Sequence, residues 1–171
     1  DADAEKEKTV ILCQEHRALA REAARKSFVL LKNEEVLPLQ KGRKTAFIGP
    51  YVDNRNMIGS WSIVGETKDV TTLKEAVLER PEGEYALFAA GCPVLGGDLK
   101  LEGFSESMEE QYSDEECAAM LEEAVKKAAE ADMVVLALGE HRLQSGEATS
   151  NANIQIPQVR MELLERVCAV N

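Results

Sequence analysis

The most informative stretch of the sequence is the run MVVLAL at residues 133–138, which stops at Gly139. A continuous apolar run is typical of a strand in a parallel sheet, because helices cover both faces of such a strand. A helix is predicted directly ahead of it, since Ser113-x-x-Glu116 is a capping box and an apolar helical stripe follows. The stripe consists of Ala118, Leu121, Val125 and Ala128.

Two shorter apolar runs upstream predict two more strands, at residues 45–49 and 85–90. The helix between them begins at another capping box, Thr72-x-x-Glu75. The residues of this helix that we expect to face the core are Leu73, Ala76 and Val77.

Outer helices complete the pattern, one over residues 14–32 and one starting at Pro157. The predicted apolar face of the first of these helices consists of Ala20, Ala24, Phe28 and Leu31. That of the last helix includes Met161, Leu164 and Cys168. The alternation of helices and strands predicts an α/β fold, a three-layer sandwich with a mostly parallel sheet and helices on both faces. We treat residues 1–171 as a single α/β domain.

Size and charge exclude several classes of protein. The chain has 171 residues, whereas a catalytic (β/α)₈ barrel needs about 250. With 20 Lys and Arg against 31 Asp and Glu, the net charge is −11, which argues against nucleic acid or an anionic membrane as a partner. The three predicted strands make a small sheet, so we expect either a truncated domain or an edge covered by another chain or domain.

Cofactor and metal motifs are missing from the sequence. It has no G-x-G-x-x-G after a strand, no Walker A pattern and no G-x-S-x-G elbow. The four cysteines form no C-x-x-C, and the two histidines offer no metal cluster. We therefore expect no cofactor and no metal, and reduced thiols in a cytoplasmic protein.

The loop after the third strand, residues 139–156, is the place where chemistry is expected. Ligands of open α/β sheets bind beyond the carboxyl ends of the strands, and a loop above about 15 residues is usually functional. The loop carries Glu140, His141, Arg142 and Glu147. A polar, solvated loop without a function is the alternative.

Short motifs along the chain point to one family. They are HRALAREAARKS at 16–27, VLLKNE at 29–34, LPL at 37–39, FIGP at 47–50, GSWS at 59–62, SGEATS at 145–150 and IQIP at 154–157. In this order they resemble the second domain of family 3 glycoside hydrolases. The resemblance implies a partial α/β sandwich domain whose catalytic barrel, with an aspartate nucleophile, is absent from this chain.

The same resemblance implies the reaction. Members of the family are retaining, exo-acting β-glycosidases, and we expect a β-glucosidase that removes terminal β-D-glucosyl residues. The sandwich lends the barrel a loop with the general acid/base. The implied partners are a β-glucoside or oligosaccharide and the missing barrel domain. A homodimer formed through the open sheet edges is a further alternative.

Glu147 is the candidate for the general acid/base, because it lies in the motif at 145–150. Gly146 and Ala148 beside it leave room for a sugar. Glu140 is the second choice. It directly follows the strand, where the geometry is stiffer, and orienting the loop is its alternative role.

Substrate contacts are assigned to Trp61, His141 and Arg142. Trp61 would either offer a platform to a sugar or pack against the barrel, and packing is the favoured interpretation. His141 and Arg142 would contact a sugar hydroxyl, the barrel surface or the loop itself.

Two other functions remain open. The chain would be a non-catalytic structural or interaction module if its loop only covered a barrel domain or another partner. A flavodoxin-like domain that binds a small molecule is disfavoured by the missing phosphate loop.

The 171-residue chain alone is expected to have no hydrolase turnover, since a retaining glycosidase needs a second carboxylate as nucleophile. The measurement is release of nitrophenol from an aryl β-glucoside by the pure chain, with the full-length enzyme as control. Turnover by the chain alone would overturn the assignment of the nucleophile to a missing barrel.

Overall fold

The computed structural model describes residues 3–59, 61, 66–95, 112–142, 144, 147 and 152–171. The chain divides into two compact units, Asp1–Gln40 and Lys41–Asn171. Each unit has its own secondary structure. The treatment of residues 1–171 as one domain stays a prediction.

The first unit contains helix α1, Ala4–Val10, and helix α2, Gln14–Ser27. The predicted extension of α2 to residue 32 is wrong, because the backbone becomes extended at Phe28. The Ser27 hydroxyl donates a hydrogen bond to the Ala24 carbonyl at 2.7 Å, a local bond that competes with further helix. The predicted apolar face is shortened, because Phe28 and Leu31 lie beyond the end of the helix. All of α2 is described, and none of its residues is buried.

The second unit contains the alternating strands and helices. They are β1 (Thr45–Ile48), α3 (Leu73–Leu78), β2 (Ala86–Ala89), α4 (Asp114–Glu130), β3 (Met133–Leu136) and α5 (Gln158–Cys168). Single 3₁₀ turns occur at Thr67–Asp69 and Pro81–Tyr85, so Tyr85 precedes β2 instead of starting it. The predicted alternation of helices and strands is confirmed.

Within the described residues, the strands form a three-stranded parallel sheet in the order β2-β1-β3. Thr45 at the start of β1 pairs with Ala86 on one side and with Met133 on the other. All four residues of β1 are buried. The α/β fold with a parallel sheet is therefore confirmed, with β1 as its central strand.

The core lies where α4 and α5 pack against one face of the sheet. Its buried members are Ala46, Ile48, Ala89, Cys92, Ala124, Ala128, Leu163 and Val167. Successive side chains of a strand point to opposite faces of the sheet. Phe47 therefore lies on the face opposite Ala46 and Ile48, where it stacks on Phe88 with ring centroids 5.7 Å apart.

The predicted faces of α4 and α5 need correction. In α4, Ala118 is exposed, whereas Ala124 is fully buried. In α5, Cys168 is exposed, and the buried residues are Arg160, Leu163 and Val167. The face of α5 is rotated from the predicted one because the fold buries the charged Arg160, which an apolar pattern leaves out.

Both predicted capping boxes are confirmed. The Thr72 hydroxyl accepts a hydrogen bond from the Glu75 amide, and the Ser113 hydroxyl accepts one from the Glu116 amide. The glutamate carboxylates bond back to the amides of Thr72 and Ser113. These bonds fix the starts of α3 and α4.

Gly49 lets the ends of the strands approach one another. Its φ is +136°, and a Cβ atom there would lie 2.2 Å from the carbonyl oxygen of Ala137. Its amide donates to the Ala89 carbonyl at 3.0 Å, and the Ala137 amide donates to the Ile48 carbonyl at 2.8 Å. The loops after all three strands therefore begin side by side.

Gly49→Ala is expected to lower the free energy of unfolding by about 2–5 kcal/mol, through backbone strain and overlap with Ala137. The matched control is Gly42→Ala, which also has positive φ, at +73°, but has nothing within 4 Å of an added Cβ. The control should lose only about 1 kcal/mol. Urea unfolding measures both; equal losses would contradict the close approach.

Candidate functional site

A cleft opens at the carboxyl edge of the sheet, between the loops after β1 and β3. Its volume is about 590 Å³. The described residues that line it are Tyr51, Asn56, Met57, Ile58, Gly59, Trp61, Ala137, Leu138, Gly139, Glu140 and Arg142. In the strand order β2-β1-β3, the chain passes from β1 to β2 on one side of β1 and later adds β3 on the other side. Such a reversal is where ligands of open α/β sheets bind.

The cleft brings together three of the predicted site residues. Trp61 is 64% exposed and belongs to the β1 loop, beside the exposed Met57. Glu140 and Arg142 come from the β3 loop. An aromatic surface together with a carboxylate and a guanidinium suits a ligand with apolar faces and many hydroxyl groups, as in a sugar.

Glu147 is exposed, and it is not among the described residues that line this cleft. It lies seven residues beyond Glu140 along the same loop. Its neighbours Gly146 and Ala148, with the rest of the motif at 145–150, lie outside the described residues. The structure thus puts Glu140 on the cleft wall and leaves Glu147 facing solvent.

His141 is buried, with 3% of its surface exposed. Its amide donates to the side-chain oxygen of Gln144 at 2.5 Å, and the Gln144 amide donates to the His141 carbonyl at 2.9 Å. These bonds close a turn at the start of the β3 loop. The burial favours the loop-packing interpretation of His141 over contact with a sugar hydroxyl.

Sequence reasoning missed Tyr51 and Arg160. Tyr51 lines the cleft, and a Cβ atom added to Gly139 would lie 3.7 Å from its ring. The Tyr51 hydroxyl accepts a hydrogen bond from Arg160 Nη2 at 3.2 Å. The apolar pattern of α5 did not single out Arg160, although it stands three residues before Leu163 on the face that the structure buries.

Another cavity, of about 680 Å³, lies between the loops after β1 and β2. Its charged side chains pair with opposite charges. Lys74 Nζ lies 2.7 Å from Asp53 Oδ2, and this hydrogen bond holds the pKa of the Asp53 carboxyl below its usual value. Arg55 pairs with Glu75. These charged groups are therefore engaged in ion pairs within the fold.

Cys92 lies in the wall of the same cavity and is buried. Burial raises the pKa of its thiol to about 11, and the positive charge of Arg160 opposes the rise only in part. The thiol is therefore protonated at neutral pH and does not act as a nucleophile. In the part of the chain that the structure describes, no three Cys, His, Asp or Glu side chains meet in a group suited to a metal ion.

Comparison with known proteins decides the family. The model for the glycosyl hydrolase family 3 C-terminal domain matches residues 28–171. The chain belongs to glycosyl hydrolase family 3. This confirms the resemblance that the sequence motifs indicated.

Relatives within family 3 include enzymes of more than one specificity. The chain is 39% identical over 154 residues to the periplasmic β-glucosidase of Salmonella typhimurium, covering 87% of this chain and 20% of that protein. It is 29% identical over 162 residues to a β-xylosidase of Formosa agariphila, covering 90% of this chain and 20% of the relative.

A solved family 3 structure supports the fold. The β-glucosidase from Listeria innocua in complex with isofagomine superposes with a TM-score of 0.73 at 30% identity, covering 100% of this chain and 20% of that one. The chain thus spans about a fifth of the length of the relatives it matches. Among the described residues, no helix has the length and apolarity to cross a membrane.

Cys92 should resist alkylation in the native chain, because its thiol is buried and its raised pKa suppresses the thiolate. Cys168, which is exposed, is the internal control and should react first. The measurement is iodoacetamide labelling at pH 8 with peptide mass spectrometry, before and after unfolding in urea. Modification of Cys92 at the rate of Cys168 in the folded chain would contradict the packing around it.

Proposed function

We propose that this chain is a partial C-terminal sandwich domain of a retaining, exo-acting β-glucosidase that hydrolyses terminal β-D-glucosyl residues. The observation that carries the proposal is the family 3 match over residues 28–171. The cleft between the β1 and β3 loops supports it, because it places an aromatic side chain and charged groups at the usual ligand-binding edge.

In this proposal, Glu147 is the general acid/base. A retaining glycosidase holds two carboxyl groups about 5–5.5 Å apart, and one attacks the sugar while the other protonates the leaving oxygen. The nucleophile belongs to the barrel, outside this chain. Glu147 suits the other role because it is exposed on a long loop, from which it is able to enter a site built by another domain.

The acid/base acts twice in the reaction. It first gives its proton to the glycosidic oxygen as the bond breaks and the covalent glycosyl-enzyme forms. It then takes a proton from the water that hydrolyses this intermediate. Glu140, on the cleft wall, is the second choice for the same role.

Substrate binding is assigned to the cleft. Trp61 is 64% exposed, so its ring is available either to a sugar or to the barrel surface. Arg142 lines the cleft, and in this proposal its guanidinium donates a hydrogen bond to a hydroxyl group of the substrate. For His141 we retain the packing role, since its side chain is buried.

A second candidate function is a non-catalytic module that packs on a barrel domain or another partner. The observation that favours it is the absence of Glu147 from the described cleft lining. Absence of cofactors, a cytoplasmic location and the possibility of a homodimer are retained as further proposals. The name of the Salmonella relative gives a periplasmic location for that protein.

Glu147→Ala in the full-length enzyme is expected to lower kcat on 4-nitrophenyl β-glucoside by about 10²–10⁴-fold, because hydrolysis of the glycosyl-enzyme loses its general base. Azide should restore turnover on an activated substrate, because it needs no general base to attack the glycosyl-enzyme. The measurement is steady-state kinetics with and without azide.

Glu140→Ala is the matched control, since it removes the neighbouring carboxylate of the same loop. It should change activity less and show no azide rescue. Rescue of the Glu140 variant alone would move the role to Glu140, and full activity of both variants would favour the non-catalytic module.

A further inference from the structure

Arg160 is a fully buried cation at the edge of the candidate site. It is the third residue of α5, the helix that follows the β3 loop, and 0% of its surface is exposed. It is the largest of the fully buried side chains in the described part of the chain. Arginine is almost never fully buried unless its charge is paired.

The guanidinium of Arg160 connects α5 to two other loops. Its Nη2 atom donates to the Tyr51 hydroxyl in the β1 loop at 3.2 Å, and to the Val94 carbonyl in the β2 loop at 2.5 Å. Its Cζ atom lies 5.4 Å from the centroid of the Tyr51 ring, within the range of a cation–π interaction. One side chain thus links the segments that follow all three strands.

This arrangement is unfavourable for stability alone. Arg160 Nε and Nη1 have no hydrogen-bond partner in the structure as described, and none of the ion pairs among the described residues includes Arg160. A well-packed apolar side chain of similar volume is often at least as stabilising as a buried charge. A buried group that does not favour stability is a feature expected at functional sites.

The contacts of Arg160 lead directly to the cleft. Tyr51 lines it, and Tyr51 in turn packs beside Gly139, the residue before Glu140. The position of the Tyr51 ring therefore helps to define where the β3 loop leaves the sheet. A shift of this ring would move the wall that carries Glu140.

We propose that Arg160 is a positioning residue for the β1/β3 cleft: acting through Tyr51 and Val94, it holds the loops after the three strands in one arrangement. Arginine suits this task because its planar fork donates in fixed directions while its face interacts with an aromatic ring. Lysine offers a point charge and would satisfy only part of the arrangement. The consequence for catalysis rests on the proposed function, whereas the effect on the cleft does not.

The first test uses Trp61, which is the only tryptophan of the chain and lines the cleft. Arg160→Met and Tyr51→Phe should each change acrylamide quenching of Trp61 fluorescence in the folded chain. The double variant should show no change beyond that of Arg160→Met, because Tyr51→Phe removes only a hydrogen bond that Arg160→Met has already removed. Arg160→Lys should lie between Arg160→Met and the unsubstituted chain.

The matched control is Arg166→Met on the same helix, where the arginine forms a surface ion pair with Glu122. It should leave the quenching of Trp61 unchanged. Circular dichroism confirms folding of each variant, and Tyr51→Phe, which removes only a hydroxyl, keeps the test valid if Arg160→Met does not fold. Unchanged quenching in the folded Tyr51 and Arg160 variants would overturn the proposal.

The second test uses the full-length enzyme. Arg160→Met should lower kcat by about ten- to a hundredfold with a smaller change in KM, because misplacing a catalytic loop affects the reaction step. Failure of the proposed function would appear as full activity of Glu147→Ala while Trp61 still responds to Arg160→Met. Failure of the positioning role would appear as an unchanged kcat and unchanged quenching in Arg160→Met while Glu147→Ala is inactive.

Discussion

The pairing of β1 with a parallel strand on each side is the constraint on which the rest of the structure depends. All four residues of β1 are buried, and its backbone is bonded to β2 and β3 in one register. Because parallel strands end at the same edge, this register sets the starting points of the loops. Gly49 then allows the chain to pass against the Ala137 carbonyl, where a side chain would not fit.

The candidate site follows from this edge. The β1 loop contributes Trp61 and Tyr51, and the β3 loop contributes Glu140 and Arg142. Apolar packing by α4 and α5 holds the sheet, while the buried Arg160 connects the loops above it. The arrangement separates two tasks: the core fixes the strands, and polar contacts at the edge fix the cleft.

Much of the fold is predictable from sequence because its signals are local. The apolar run of β3 and the two capping boxes depend on residues close in the chain, and each of these elements is confirmed. The end of α2 and the buried face of α5 were predicted wrongly, since they depend on backbone competition at Ser27 and on tertiary contacts of Arg160.

The site is only partly predictable. Trp61, Glu140 and Arg142 were named from the sequence and meet in one cleft, because loops after neighbouring parallel strands converge. Tyr51 and Arg160 were missed, because the sequence does not show that this tyrosine after a strand and this arginine in a helix contact each other. The assignment of Glu147 rests on a family motif, and no local physical signal separates it from Glu140.

The central claim is that Glu147 protonates the leaving group in an active site shared with another domain. The most direct measurement is kcat/KM of the full-length Glu147→Gln variant on aryl β-glucosides whose phenols span a range of pKa values. The account predicts a steep dependence, with near-normal rates for the most acidic phenols, which leave without a proton. An equal loss on every substrate would contradict it, because a general acid matters most for the poorest leaving groups.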